Sequence, residues 1–297
     1  MAKRKQSGND ADGKGAHKDD RMRDGSDDSS SDEDTDMLNV DFEWFDPQPD
    51  HDFHGLKTLL RQLLDVDAQL FDLSALSDLI LSQPLLGSTV KVDGNESDPY
   101  AFLTVLNLHE HQEQQVIKDL TSYLRQKAAS NPTLSQLSNL LSSTPIPPIG
   151  LILTERLINV PSEVVPPMYK MLLEEISWAV EEKEPYTFSH YLILSKAYTE
   201  VASKLDEQED RPQKKKRKDG SSRDDELFYF HPEDEALHSQ CLAYGSFDYS
   251  KQGGEGSSDS KRAFQELGIR PQGHVMLIEG SKIDEAVQTV DRFLNGS

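Results

Sequence analysis

The chain has 297 residues, of which 53 are acidic and 31 basic, giving a formal net charge of -22 and a pI near 4.7. That field disfavours general binding to nucleic-acid backbones, which needs a basic surface, and suits a basic protein partner. Its one cysteine, Cys241, excludes an internal disulfide framework and a multi-cysteine metal site, and no apolar run approaches the ~20 residues of a membrane span. Met1-Ala2-Lys3-Arg4-Lys5 leads into polar sequence rather than a signal-peptide core, so the expectation is a soluble, intracellular protein with no membrane contact.

Residues 1–37 read as a disordered acidic tail, because Asp, Ser, Gly, Lys and Arg dominate and cannot bury enough surface to offset chain entropy. Within it Ser29, Ser30 and Ser31 each have an acid three positions on (Asp32, Glu33, Asp34), the spacing acidophilic kinases use, and stand as phosphorylation candidates. Residues 38–297 read as a single α/β (α+β) domain with disordered insertions at 205–226 and 250–260.

Leu38, Val40, Phe42 and Trp44 alternate with polar residues, predicting a half-buried first strand that Asp46-Pro47-Gln48-Pro49 ends. Leucines at helical spacing predict helices over 53–64 and 70–81. Strands at 85–92 and 101–108, separated by the polar turn Asp93–Pro99, predict a hairpin. Helices follow at 113–128 and 133–141. The run Ile149-Gly150-Leu151-Ile152-Leu153 has no polar interruption, which predicts a strand covered on both faces of a mostly parallel or mixed sheet. Pro166 and Pro167 then stand where a first helical turn does not need its N–H groups, and Met168, Met171, Leu172, Glu175, Ile176 and Ala179 continue at helical spacing. Tyr186, Phe188, His190 and Leu192 alternate as a strand would, and further strands are predicted at 227–230, 241–247 and 274–278, with a closing helix at 283–294. These elements amount to a mixed sheet flanked by helices.

Among short motifs, Lys214, Lys215, Lys216, Arg217 and Lys218 resemble a single-cluster nuclear import signal, which an import receptor would read from an extended backbone; the bland alternative is a solvated charge run. Leu73, Leu76, Leu79 and Leu81 fit the loose spacing of an export signal, but a core-facing helix explains them better. The chain holds no P-loop, G-x-G-x-x-G, H-E-x-x-H or G-x-S-x-G. His109 and His111 without a third ligand read as solvent-exposed histidines, and Cys241 as a buried structural thiol, so neither cofactor nor metal is expected. The order of elements is similar to that of GNAT-type acetyltransferases. Their coenzyme A loop is missing, since Gln265-x-x-Gly268-x-Arg270 and Arg270-x-x-Gly273-x-Val275 both lack the final small residue and neither opens a helix.

Leu151-Ile152-Leu153-Thr154-Glu155-Arg156-Leu157-Ile158-Asn159-Val160-Pro161, followed by Pro166-Pro167, resembles the L-x-x-[ST]-E-R-x-[IV]-N-x-P signature of the BCCIP/BCP family, carried by Glu155, Arg156, Asn159 and Pro161. The acidic tail, the strand 40–46, the element Phe230-His231-Pro232-Glu233-Asp234 and the strand Val275–Ile278 extend the resemblance to residues 38–294, and the internal lysine-rich cluster favours the fungal type. The resemblance implies a GNAT-like fold without an acetyl-coenzyme A site. It also implies a nuclear, non-catalytic protein that chaperones a basic large-subunit ribosomal protein and supports nuclear export of cargo, a phosphoinositide kinase included. The alternatives it leaves are a scaffold for cell-cycle or phosphoinositide-kinase partners serving the actin cytoskeleton or vesicular transport, or a residual acyltransferase. The expected partner surface is acidic and aromatic, around Glu43, Trp44 and Glu155, although Trp44 reads more readily as core.

Overall fold

The computed structural model describes residues 40–83, 86–200, 227–250 and 268–296. One eight-stranded sheet runs in the order β1 (Glu43–Phe45), β2 (Ser88–Lys91), β3 (Ala101–Asn107), β4 (Ile149–Arg156), β5 (His190–Glu200), β8 (Ile269–Glu279), β7 (Cys241–Phe247), with β6 (Leu227–Tyr229) paired to the far end of β5. Every pairing is antiparallel except β4 with β5. The sheet is therefore mixed, with the antiparallel share larger than the apolar run at 149–153 implied. That run is apolar because it is covered on both faces.

Two apolar cores result. On one face Ile149, Leu151 and Leu153 pack under helices α1 (Pro49–Leu64), α2 (Leu73–Leu81), α3 (Gln115–Ala129) and α4 (Ser135–Leu141). On the other, Ile152 meets α5 (Val165–Glu181), α6 (Glu233–His238) and α7 (Ile283–Asn295). Local chemistry sets the helix boundaries. Pro49 opens α1 while Asp52 reaches back to the Gln48 amide at 2.7 Å, and Asp72 caps α2 by accepting from the Ser74 and Ala75 amides at 3.0 Å. Lys183, at φ 68, ends the turn after α5 ahead of Pro185.

Three sequence expectations change. The first strand shrinks to residues 43–45 at the sheet edge, where Val40 and Trp44 are exposed. Tyr186 and Phe188 precede β5 rather than belong to it; their alternation reflects stacked burial, with edge-on rings from Tyr186 to Phe188 to Tyr191. The short helix α6 is not among the predicted elements, since its first-turn acids Glu233 and Asp234 are buried where a surface helix would keep them solvated. Both expected insertions fall largely outside the described residues, as does the acidic tail.

Candidate functional site

Parallel strands β4 and β5 keep register from Ile149–His190 to Leu153–Leu194 and then part. Beyond that point Thr154–Arg156 pair with β3, while β5 turns to β6 and β8. In open α/β sheets, the crevice outside the carboxyl ends of parallel strands at such a junction is the favoured ligand position. Here side chains of the chain itself fill it.

Glu155, 1% exposed, points inward from β4. Its Oε2 lies 2.6 Å from Lys196 Nζ of β5 and its Oε1 3.2 Å from His231 Nε2. Burial alone would raise this carboxyl; the contacts with His231 and Lys196 overcome burial and bring it down to about 2. Lys196 also donates to the Gln62 carbonyl at 3.2 Å and lies over the Phe230 ring at 5.3 Å. Next along β4, Arg156 makes a two-pronged contact with Glu233, and its own carbonyl accepts from Gln62 Nε2 at 3.0 Å. Asp234 completes the group, accepting from Ser195 Oγ at 2.6 Å. Burial, with Glu233 adding to it, pushes the Asp234 carboxyl up to about 7. A lysine and an arginine thus sit against buried acids, and the crevice at the carboxyl ends of β4 and β5 is closed by ion pairs. Desolvation makes such pairs costly to break from one side, about 3–5 kcal/mol.

The signature divides at the end of β4. Glu155 and Arg156 build the crevice; Ile158, Asn159 and Pro161 lie exposed on the turn into α5, with Ile158 fully exposed. Of the three expected partner contacts, Glu43 and Trp44 are on the surface, with the Trp44 indole donating to the Val164 carbonyl at 3.3 Å. Glu155 is not a surface contact, because it is buried and paired. Sequence reasoning missed Lys196, Gln62 and Ser195. Lys196 was findable: a lysine continuing the apolar run Tyr191–Leu194 demands a buried acid.

The remaining candidates separate cleanly. Leu73, Leu76, Leu79 and Leu81 are buried, so α2 offers no export signal as folded. His109 and His111 are half-buried rather than exposed, with His109 Nδ1 2.6 Å from the Ile146 carbonyl. Among the described residues no group of three or more His, Cys, Asp or Glu side chains could hold a metal, and no helix is long and apolar enough to cross a membrane. The Cys241 thiol bonds to the Leu237 carbonyl and is pushed up to about 12 by burial. Ser246, His274 and His238 form a chain with both contacts at 2.9 Å, but burial lowers His274 to about 3 and His238 to about 4, leaving neither a useful base. The lysine cluster Lys214–Lys218 and serines Ser29–Ser31 lie outside the described residues.

A mixed sheet between two helical layers, with the one parallel pairing among the described strands leading to a crevice that buried ion pairs close, defines an open-sheet α/β protein. The BCCIP family model matches residues 37–237, and the chain belongs to the BCCIP family. Protein bcp1 of Aspergillus fumigatus is 67% identical over 267 residues, covering 90% of this chain and 91% of that protein. Protein bcp1 of Schizosaccharomyces pombe is 52% identical over 247 residues, covering 82% and 86%. Among solved structures, the crystal structure of BCP1 from Saccharomyces cerevisiae superposes with a TM-score of 0.57 at 26% identity, covering 88% of this chain and 92% of that one.

Proposed function

We propose that this chain is a non-enzymatic nuclear escort chaperone: it binds a basic large-subunit ribosomal protein, shields it until assembly into pre-ribosomes, and supports nuclear export of cargo such as a phosphoinositide kinase. The observation that carries the reading is the charge balance, 53 acids against 31 bases. Such a field attracts the RNA-binding surfaces of ribosomal proteins and holds them from nucleic acid and from one another. The side-chain-filled crevice supports binding over acyl transfer, and the Lys214–Lys218 run supplies the address that an import receptor would read. The test is light scattering of purified large-subunit ribosomal proteins with and without equimolar full-length chain. Suppressed aggregation of at least one basic member, reversed by moderate salt, is expected. Unchanged aggregation across the panel would refute the reading.

A further inference from the structure

The chain contains two tryptophans, and both are exposed: Trp44 at 39% and Trp178 at 60%. Tryptophan is normally largely buried in a free domain and dominates the energetics of interfaces. The two lie on one side of the molecule. Trp44 sits opposite Val90 on the sheet face that α5 covers, and its indole bonds to Val164 immediately before α5. Farther along α5, Glu175 Oε2 accepts from the Gly87 amide at 2.7 Å, which fixes the flank of α5 facing β2. Met171, Glu175, Trp178 and Glu182 follow at spacings of three and four and share that flank. β1 closes the strand order at this end, pairing with β2 alone among the described strands.

Charge on this strip has one sign. Asp46, Glu174 and Glu182 are exposed along it. Burial first, then the nearby charges of Asp46 and Glu174, push the Glu175 carboxyl up to about 7, and an arriving cation would relieve that crowding. Lys170, by contrast, is drawn away to Asp291 on α7 at 2.6 Å. From Val164 to Trp178 the helix rises roughly 21 Å, the span of about six residues of extended chain.

We propose that the strip between the β1 edge and the α5 flank, from Trp44 to Trp178, is a docking surface for an extended, arginine- and lysine-rich segment of a partner protein. The acids supply attraction, and the exposed indole faces stack with guanidinium or ammonium groups. The inference rests on the basic-partner reading above and gives it a place.

The two tryptophans make the test direct. Full-length chain is titrated with a synthetic eight-residue peptide of alternating arginine and threonine while indole emission is followed. The emission of both W44F and W178F responds, because each retains one indole of the strip. W178A weakens binding at least tenfold with an unchanged far-ultraviolet circular dichroism spectrum. Glu174→Gln with Glu182→Gln weakens it severalfold, whereas Asp93→Asn with Glu96→Gln on the β2–β3 turn, removing the same formal charge, does not. Silent indoles, equal weakening by both charge pairs, or self-association of the chain through this strip that W178A abolishes would overturn the proposal. If wild-type chain fails to protect ribosomal proteins while the peptide still docks between the tryptophans, the chaperone reading falls and the surface stands. Protection undiminished in W178A has the opposite meaning.

Discussion

Glu155 and Asp234 lie in one buried group yet respond to pH in opposite senses. The Glu155 carboxyl is brought down to about 2, below its unfolded value near ~4.3, so its contribution is present above that value and is lost as pH falls towards 2. Asp234 is raised to about 7, so between ~3.9 and 7 the folded chain holds a proton that the unfolded chain has released. Its contribution is full below ~3.9 and disappears as pH rises through that window. Replacing Asp234 with Asn keeps an acceptor for Ser195 Oγ and removes the ionisable group. Thermal unfolding followed by circular dichroism is expected to show D234N gaining on wild type from about pH 4 to pH 7, with the two parallel outside that window as far as Asp234 is concerned. A constant offset between them across that range would show that Asp234 does not titrate in the fold. None of this was legible from composition, because it depends on which acids meet which bases. The signature pointed to Glu155 and Arg156; their partners Lys196 and Glu233 came only from the pairing of β4 with β5 and the placement of α6.

At the scale of elements, periodicity was a good guide wherever one face is buried. The hairpin of β2 and β3, the helices α1, α3 and α5, and strand β7 all fall within a few residues of their predicted positions. It failed at the edges and in aromatic clusters. Tyr186 and Phe188 imitate a strand, and β5 runs on to Glu200 through Ser195, Lys196 and Thr199, whose polarity conceals it. The outer edge of β7 illustrates how side chains finish what backbone pairing leaves open. Asn131 donates to the Ser246 carbonyl and Thr133 to the Tyr244 carbonyl, both at 3.1 Å, while Asn131 also accepts from the Thr133 amide at 3.1 Å. Asn131→Ala removes a cap and an edge bond together and is expected to cost about 1–2 kcal/mol. Urea unfolding measures it, and an unchanged midpoint would contradict the role given to this residue.

At the scale of the whole molecule, fold and function separate. The mixed sheet opens where β4 and β5 part, and the chain fills that crevice with Glu155, Lys196, Arg156 and Glu233. What remains outward is an acidic surface on which both tryptophans are exposed. The acidity was legible at once, since composition alone carries it. The exposure of Trp44 and Trp178 was not, because an alternating strand and an amphipathic helix read the same whether or not their flanks are covered. The acidic-escort account therefore predicts association that charge dominates and salt weakens. Affinity purification of the full-length chain from its native cells, at low and at moderate salt, tests that most directly. A basic large-subunit ribosomal protein recovered at low salt and depleted at moderate salt is the expected result; recovery only of unrelated proteins, indifferent to salt, would contradict the account.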